Sequence, residues 1–306
     1  PWRAAGMCVA KLPREKLVVV SGEGAVFTYV GGNEGSERIR DAFDLRACAC
    51  IEGHAYAAGM NREVFRRARE GQWSAMHAPG VEGDDDVAGF EAIDGFGAND
   101  LYAAGWEGEV WHWQGSAWTR CESPVNVVLS GICCAGDGHV YACGQSGTLL
   151  RGRGQDWGVL ETEGLIDDFW VVRWFMDRLY VASMSALYVL QDDALVAVDF
   201  GRDAPDSCYK LTDAEGVLWS IGQQNIFSFD GAAWRRRGWR GRVRGYESRS
   251  CTVPARCKGR RAACGRGRGA LQRSHADGRC AAREAASPAP ARRPIGRAPG
   301  RAGRGG

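Results

Sequence analysis

The residues with the most chemical promise in this sequence are carboxylates that stand close to indoles. Asp84, Asp85 and Asp86 form an acidic run, Trp106 is followed by Glu107, and Asp167 and Asp168 shortly precede Trp170. A carboxylate attracts a cation or a basic peptide, and an indole face takes a cation or a sugar ring. This combination points to recognition and leans against an enzyme. No Gly-x-Ser-x-Gly elbow, P-loop or dinucleotide fingerprint occurs in the first 240 residues. A calcium-dependent hydrolase would need carboxylates and Asn gathered in one channel, and the sequence offers few Asn at no matching spacing. The expected cofactor is therefore none, with Ca2+ as the one ion a carboxylate rim could take. Catalysis through such a channel site is the weakest of the functional readings. The 12 Cys include no C-x-x-C pair, and Cys133 and Cys134 are too close for a usual zinc clip. Most lie in apolar runs, which reads as buried reduced thiols and a cytoplasmic rather than secreted setting.

Those residues sit in a chain of two electrostatic halves. The 306 residues carry 39 Lys and Arg against 37 Asp and Glu, a net charge of +2. Residues 1–234 hold 18 basic and 34 acidic side chains, a net of −16, and residues 235–306 hold 21 basic and 3 acidic, a net of +18. A body at −16 repels nucleic acid and anionic membrane and attracts basic surfaces. No apolar run approaches the roughly 20 residues of a spanning helix. With 45% hydrophobic residues and 12 Trp, the acidic part can bury a core.

A repeat supplies the elements that must hold the candidate residues. Six segments align, with anchors at Val18, Tyr56, Tyr102, Tyr141, Tyr180 and Trp219, giving intervals of 38, 46, 39, 39 and 39 residues. Each unit reads as four short strands separated by turns rich in Gly, Asp and Asn. In the fourth unit these are LSGICCA, VYACG, TLLRG and a strand beginning near Trp157. Trp73, Trp118, Trp157 and Trp234 hold one common place, 15 to 17 residues after their anchors. His54 and His139 each stand two residues before an anchor, but Asp100, Arg178 and Val217 take that position elsewhere, so it is a solvated turn. His77 and His112 have no partner at metal-ligand spacing.

Four antiparallel strands per unit of about 40 residues predict an all-β fold, a six-bladed propeller over residues 1–240. A seven-bladed ring is the alternative. The wording NDLYAAGWEGEVWHWQGSAW resembles the bacterial YVTN/BNR-like propeller repeats, of the form x-V-Y-A-V-G-x-x-G-x-I-x-x-x-x-G-x-x-W. It is also similar to tectonin-type propeller lectins, whose units end in a comparable Gly-x-x-Trp. The resemblance covers residues 1–240 and rests on structural residues, so it implies the fold. Sialidase-type Asp boxes and the punctuation of WD-repeats are absent, and neither family's activity carries over.

In a propeller, the loop joining strands two and three lies on the same face as the loop joining consecutive blades. Trp106 and Glu107 fall in the former. The acidic run falls in the latter, inside the 46-residue interval that carries about seven extra residues. The segments at 122–126 and 167–170 would complete a rim, the second pointing a carboxylate pair and an aromatic at the channel mouth. The expected binding face is thus Asp84, Asp85, Asp86, Trp106, Glu107, Asp167, Asp168 and Trp170. The expected function is a non-catalytic scaffold for protein–protein interaction with a basic partner; glycan binding is the alternative.

The tail from 241 to 306 is a different polymer, with 16 Arg, 13 Ala, 12 Gly and 5 Pro and Tyr246 as its single aromatic. It cannot form a core and is expected to be disordered. One reading is an RGG-like nucleic-acid arm driven by counterion release. The reading that fits better is unselected sequence from a GC-rich gene translated out of frame. Position 1 is Pro and no signal peptide is visible, so the start reads as processed or fragmentary.

Overall fold

The computed structural model describes residues 3–80, 88–162 and 164–238, which form a six-blade propeller of four-stranded antiparallel sheets. Blade 1 comprises β1 (Ala4–Ala10), β2 (Lys16–Ser21), β3 (Ala25–Val30) and β4 (Asn33–Arg38), and blade 2 comprises β5 (Leu45–Ile51), β6 (His54–Gly59), β7 (Val64–Arg69) and β8 (Gln72–Ala75). Blade 3 holds β9 (Phe90–Gly97), β10 (Asp100–Gly105), β11 (Val110–Trp113) and β12 (Trp118–Arg120). Blade 4 holds β13 (Leu129–Cys134), β14 (Val140–Gly144), β15 (Leu149–Arg153) and β16 (Asp156–Val159). Blade 5 holds β17 (Phe169–Phe175), β18 (Arg178–Ser183), β19 (Leu187–Gln191) and β20 (Ala194–Ala197); blade 6 holds β21 (Lys210–Ala214), β22 (Val217–Ile221), β23 (Ile226–Phe229) and β24 (Trp234–Arg236). Among the described residues, the one helical element is a 3-10 turn at Trp106–Gly108. No helix there is long and apolar enough to cross a membrane.

The first strand of each blade is the inner one, and β1, β5, β9, β13, β17 and β21 follow one another around the centre. The second strand carries the repeat's small-residue pattern because it is covered on both faces. Tyr56, Ala57 and Ala58 in β6 and Tyr102, Ala103 and Ala104 in β10 are all fully buried. Small side chains there let sheets approach, and the anchor aromatic fills the space between them. The Gly that ends this strand has an equally local cause. A Cβ on Gly105 would lie 1.9 Å from the Gly89 carbonyl oxygen, and one on Gly144 would lie 2.2 Å from that of Val128. At both places the backbone of the incoming inner strand leaves room for a hydrogen atom only.

Five apolar clusters fill the spaces between consecutive blades, and each joins an anchor to one inner-strand residue of the next blade. The pairs are Val18 with Cys48, Tyr56 with Ile93, Tyr102 with Ile132, Tyr141 with Val172, and Tyr180 with Leu211. Burying an aromatic or aliphatic side chain contributes about 1.5–3 kcal/mol, so this alternation is what holds blade to blade. Two buried ion pairs add specificity on the second blade. Arg67, fully buried on β7, reaches Glu37 on β4, which also accepts from the Trp73 indole at 3.2 Å. Arg62 binds Glu109 of blade 3 through its Nε at 2.8 Å, and the Trp111 indole donates to the same carboxylate at 3.2 Å.

The predicted strands of the fourth unit coincide with β13 to β16. The segment that makes the second interval long, residues 81–87, lies outside the described residues, as does the expected tail.

Candidate functional site

The rim begins with the turn between β10 and β11. Glu107 has φ 56° and is followed by Gly108 at φ 68°; the equivalent turn of blade 4 has Ser146 at φ 55° and Gly147 at φ 68°. Because two blades share this left-handed pair, it belongs to the repeat's turn rather than to a special site. The shape lets each turn press against the loop that leads into the next blade. A Cβ on Gly147 would meet the Leu165 carbonyl oxygen at 2.0 Å. The Trp106 amide donates to Gly89 O at 3.0 Å, and its indole N–H donates to Glu91 at 2.7 Å, leaving the ring 37% exposed.

Asp167 and Asp168 occupy the corresponding loop before β17, and each serves a different neighbour. Asp168 accepts from the Ser146 amide at 2.9 Å, and Asp167 accepts from the Ser185 hydroxyl at 3.0 Å. The Gly147 amide donates to the Asp167 carbonyl at 3.0 Å. The Asp168 carboxylate therefore ties blade 5 to the turn of blade 4, and that of Asp167 ties the loop to the β18–β19 turn within blade 5, while both side chains stay exposed. Trp170, at the start of β17, is 41% exposed. The structure thus places Trp106, Glu107, Asp167, Asp168 and Trp170 on one face, connected by successive loop contacts. Asp84, Asp85 and Asp86 lie outside the described residues.

Three further apolar side chains on this face were not apparent in the sequence. Phe43 projects from the loop between blades 1 and 2, Ile166 from the loop before β17 at 81% exposure, and Met184 from the turn after β18. Each stands in a segment whose neighbours are polar, so a hydropathy pattern ranks them as isolated; exposure of a large apolar residue is the signal, and only the coordinates carry it. The opposite face also exposes Phe96, but the Arg153 guanidinium lies 4.1 Å over its ring.

The remaining titratable groups are structural. His112 stacks on the anchor Tyr102 at 4.2 Å and bonds Asp100 at 2.8 Å. His77 accepts the Val64 amide on Nδ1 at 3.1 Å, which places its proton on Nε2. Asp94 accepts the Cys134 and Gly95 amides, both at 2.9 Å, and burial raises its carboxyl above the usual range. Burial also lifts the Cys121 thiol to about 11 and the Cys133 thiol to about 12, which keeps both neutral and unreactive. Among the described residues the cysteines are free thiols, and no group of three His, Cys, Asp or Glu is placed to hold a metal ion. What the rim offers is a mixed surface of indoles, aliphatic side chains and carboxylates. Such a surface can hold a polypeptide or a stacked ring.

Two solved structures share the architecture. YCF48 bound to a D1 peptide superposes with a TM-score of 0.58 at 14% identity, over 77% of this chain and 82% of that one. YCF48 from Cyanidioschyzon merolae gives 0.56 at 12% identity, over 78% and 86%. At these identities the likeness concerns the fold, and it bears out the resemblance to propeller repeat proteins. No protein-family model matches the chain. The immune protein Tsi7 of Pseudomonas aeruginosa is 44% identical over 245 residues, 77% of this chain and 80% of that protein. Identity of that extent places the two in one lineage, and the chain belongs to the family of the immune protein Tsi7.

Proposed function

We propose that this propeller is an immunity protein, a non-catalytic scaffold that neutralises a harmful polypeptide by binding it. The observation that carries the reading is the 44% identity to a protein named for immunity, spread over 80% of that protein's length. The rim supports it, because exposed Phe43, Trp106, Ile166 and Trp170 stand among Glu107, Asp167 and Asp168 without any grouping suited to bond cleavage. The acidic balance of residues 1–234 favours a partner with a basic contact surface and gives fast, salt-sensitive association. The reading needs no cofactor and places the protein in the cytoplasm, where its thiols stay reduced.

A toxin and its antidote must be inherited together or the carrier dies, so the partner to test is the polypeptide encoded beside this chain's gene. Co-expression should restore growth to cells making that polypeptide, and the two should co-purify at low salt. Ile166→Asp and Trp170→Ala should each weaken the complex about tenfold or more if the rim is the contact. Growth that is not restored removes the immunity reading. A second reading, glycan binding, rests on the two half-exposed indoles; it is favoured if sugar binding is present and is lost in Trp106→Ala.

A further inference from the structure

The inner strands of blades 1 and 2 bring three thiols to one junction. Cys8 stands on β1 opposite the anchor Val18, and Cys48 and Cys50 stand on β5 opposite Ala57 and Ala55. Val18, Ala55 and Ala57 are buried in the cluster between these two blades, and Cys8 and Cys48 pack against it. Cross-strand neighbours share one face of a sheet, so the three thiols lie on facing walls. The two strands run side by side. A Cβ on Gly6 would collide with the Cys48 amide and lie 2.9 Å from the Ala47 carbonyl carbon, and the Lys11 amide donates to Gly53 O at 2.8 Å. Cys8, between Gly6 and Lys11 on β1, therefore falls between the levels of Cys48 and Cys50. The Cys48 thiol donates to the Cys8 sulfur at 3.5 Å.

Nothing in the repeat requires sulfur at either place. Cys48 stands opposite the residue that follows its blade's anchor, a place taken by Ile93, Ile132, Val172 and Leu211 on the next four blades and by Met7 on blade 1. Cys8 stands opposite the anchor itself, a place taken by Ala49, Asp94, Cys133 and Arg173 on the next four blades. The positions that correspond to Cys8 and Cys48 at the other filled junctions thus hold Ala with Ile, Asp with Ile, Cys with Val, and Arg with Leu. None of those combinations can join covalently. Among the described residues, Cys8 and Cys48 are the one pair of thiols bonded to each other, and both are free.

The contact is close to what a disulfide needs. Bonded sulfurs stand about 2.05 Å apart, so this pair must close by about 1.5 Å. Rotation about the two Cα–Cβ bonds can supply that, because Gly6 already lets the strands approach as near as backbone allows. The thiols differ in access. Cys8 is half-buried, and Cys50 is exposed at the far end of the same wall. Its hydrogen bond to Cys8, together with burial, pushes the Cys48 thiol well up, so Cys48 keeps its proton and suits the second step of an oxidation rather than the first. The trio is not arranged to hold a metal ion.

We propose that Cys8 and Cys48 are a redox pair, which hydrogen peroxide closes to a disulfide joining blades 1 and 2. Cys8 Sγ attacks one peroxide oxygen and the O–O bond breaks; Cys8 becomes a sulfenic acid, and its proton leaves with the other oxygen as water. Cys48 Sγ then attacks the Cys8 sulfur. The S–S bond forms, the S–O bond breaks, and the departing hydroxide takes the Cys48 proton as a second water. The two sulfurs lose two electrons and the peroxide gains them; a dithiol reverses the change. The bond closes a loop of roughly 40 residues that contains β2, β3 and β4, so it constrains the unfolded chain and fastens one blade to the next. It involves no rim residue and is independent of what the rim binds.

Peptide mapping reads the pair directly. The full chain is treated with dilute hydrogen peroxide, unfolded, alkylated with iodoacetamide and digested without reductant. A peptide carrying Cys8 should be found joined to one carrying Cys48, and dithiothreitol should separate them. The folded chain should form this link at least about tenfold faster than the chain in urea, because the fold holds the two sulfurs together. The melting temperature of the oxidised chain should rise by about 5–10 °C. Cys50→Ser should leave the link and the rise in place, and Cys8→Ser should remove both. The wild-type map stands on its own if a variant folds poorly. Four results overturn the proposal: Cys8 carried to sulfinic acid without a link, a link that runs through Cys50 instead, a link found only between chains, or equal rates of linking in the folded and unfolded chain.

Discussion

The junction between blades 3 and 4 and the one between blades 6 and 1 are specified by the same positions of one repeat and end in opposite states. At the first, Tyr102 and Ile132 are buried in a common cluster with Leu129, Val140 and Leu150. At the second, Trp219 and Met7 stay partly open to solvent. The side chains are not weaker at the open junction, since Trp and Met are larger than most of their counterparts. What differs is whether a neighbouring sheet arrives to cover them. Hydrophobic character is a property of a residue, but the stabilisation it gives is a property of the contact.

Truncating the anchors tests that comparison with the largest expected effect. Tyr102→Ala should lower the unfolding free energy by about 3–5 kcal/mol, because it opens a cavity, ends the stacking on His112 and frees the Gly154 amide now bound at 3.0 Å. Trp219→Ala should cost under about 2 kcal/mol, despite removing more atoms. Equal losses in urea unfolding would mean that the sixth junction is as full in solution as the other five.

Ion pairs give the next contrast. Glu109→Ala takes the carboxylate from a guanidinium buried at the junction of blades 2 and 3, and should cost about 3 kcal/mol. Asp203→Ala removes the exposed partner of Arg236 on blade 6 and should change stability by less than about 0.5 kcal/mol. A smaller difference than this would place Glu109 in a wetter environment than its burial indicates. At the inner strand, Ile93→Ala should cost about 2–4 kcal/mol and Met7→Ala under about 0.5 kcal/mol by the same measurement.

The smallest effect is in acid. Burial pushes the Glu37 carboxyl up, but its bond to Arg67, the charge of that guanidinium and the Trp73 indole together hold it below the usual 4.5. A carboxyl lowered by folding contributes stability above its unfolded pKa and loses it as the pH falls through its folded one. The difference in melting temperature between the wild-type chain and Glu37→Gln should therefore be constant near neutrality and shrink as the pH drops below about 4.5. A difference that persists into stronger acid would show that packing, not charge, carries the Glu37 contribution.

Much of this architecture could be read from one dimension. The anchors at 39-residue intervals gave the blades, the alternation around Tyr141 gave β13 to β16, and the Gly and Asp clusters gave the turns. The rim was legible in part. Trp106, Glu107, Asp167, Asp168 and Trp170 could be assigned to one set of loops because propeller loops alternate between faces. Phe43, Ile166 and Met184 were not found, because a single apolar residue in a polar loop has no periodicity to mark it. Nor could the spacing reveal that Asp167 and Asp168 each spend an oxygen on a neighbouring turn, since Ser185 comes close only when blade 5 has folded and Ser146 only when blades 4 and 5 are side by side.

The sequence alone determined everything that depends on local period: the strand pattern, the turn chemistry, the repeat of about 40 residues per blade and the excess of negative charge over residues 1–234. Tertiary structure alone decided which equivalent positions are covered. Met7 and Ile93 occupy the same place in the repeat, and nothing in their local sequence distinguishes a filled junction from an open one. The distinction comes from the ring, where each sheet face is buried by a partner about 40 residues away, and one pair of faces has no such partner among the described residues.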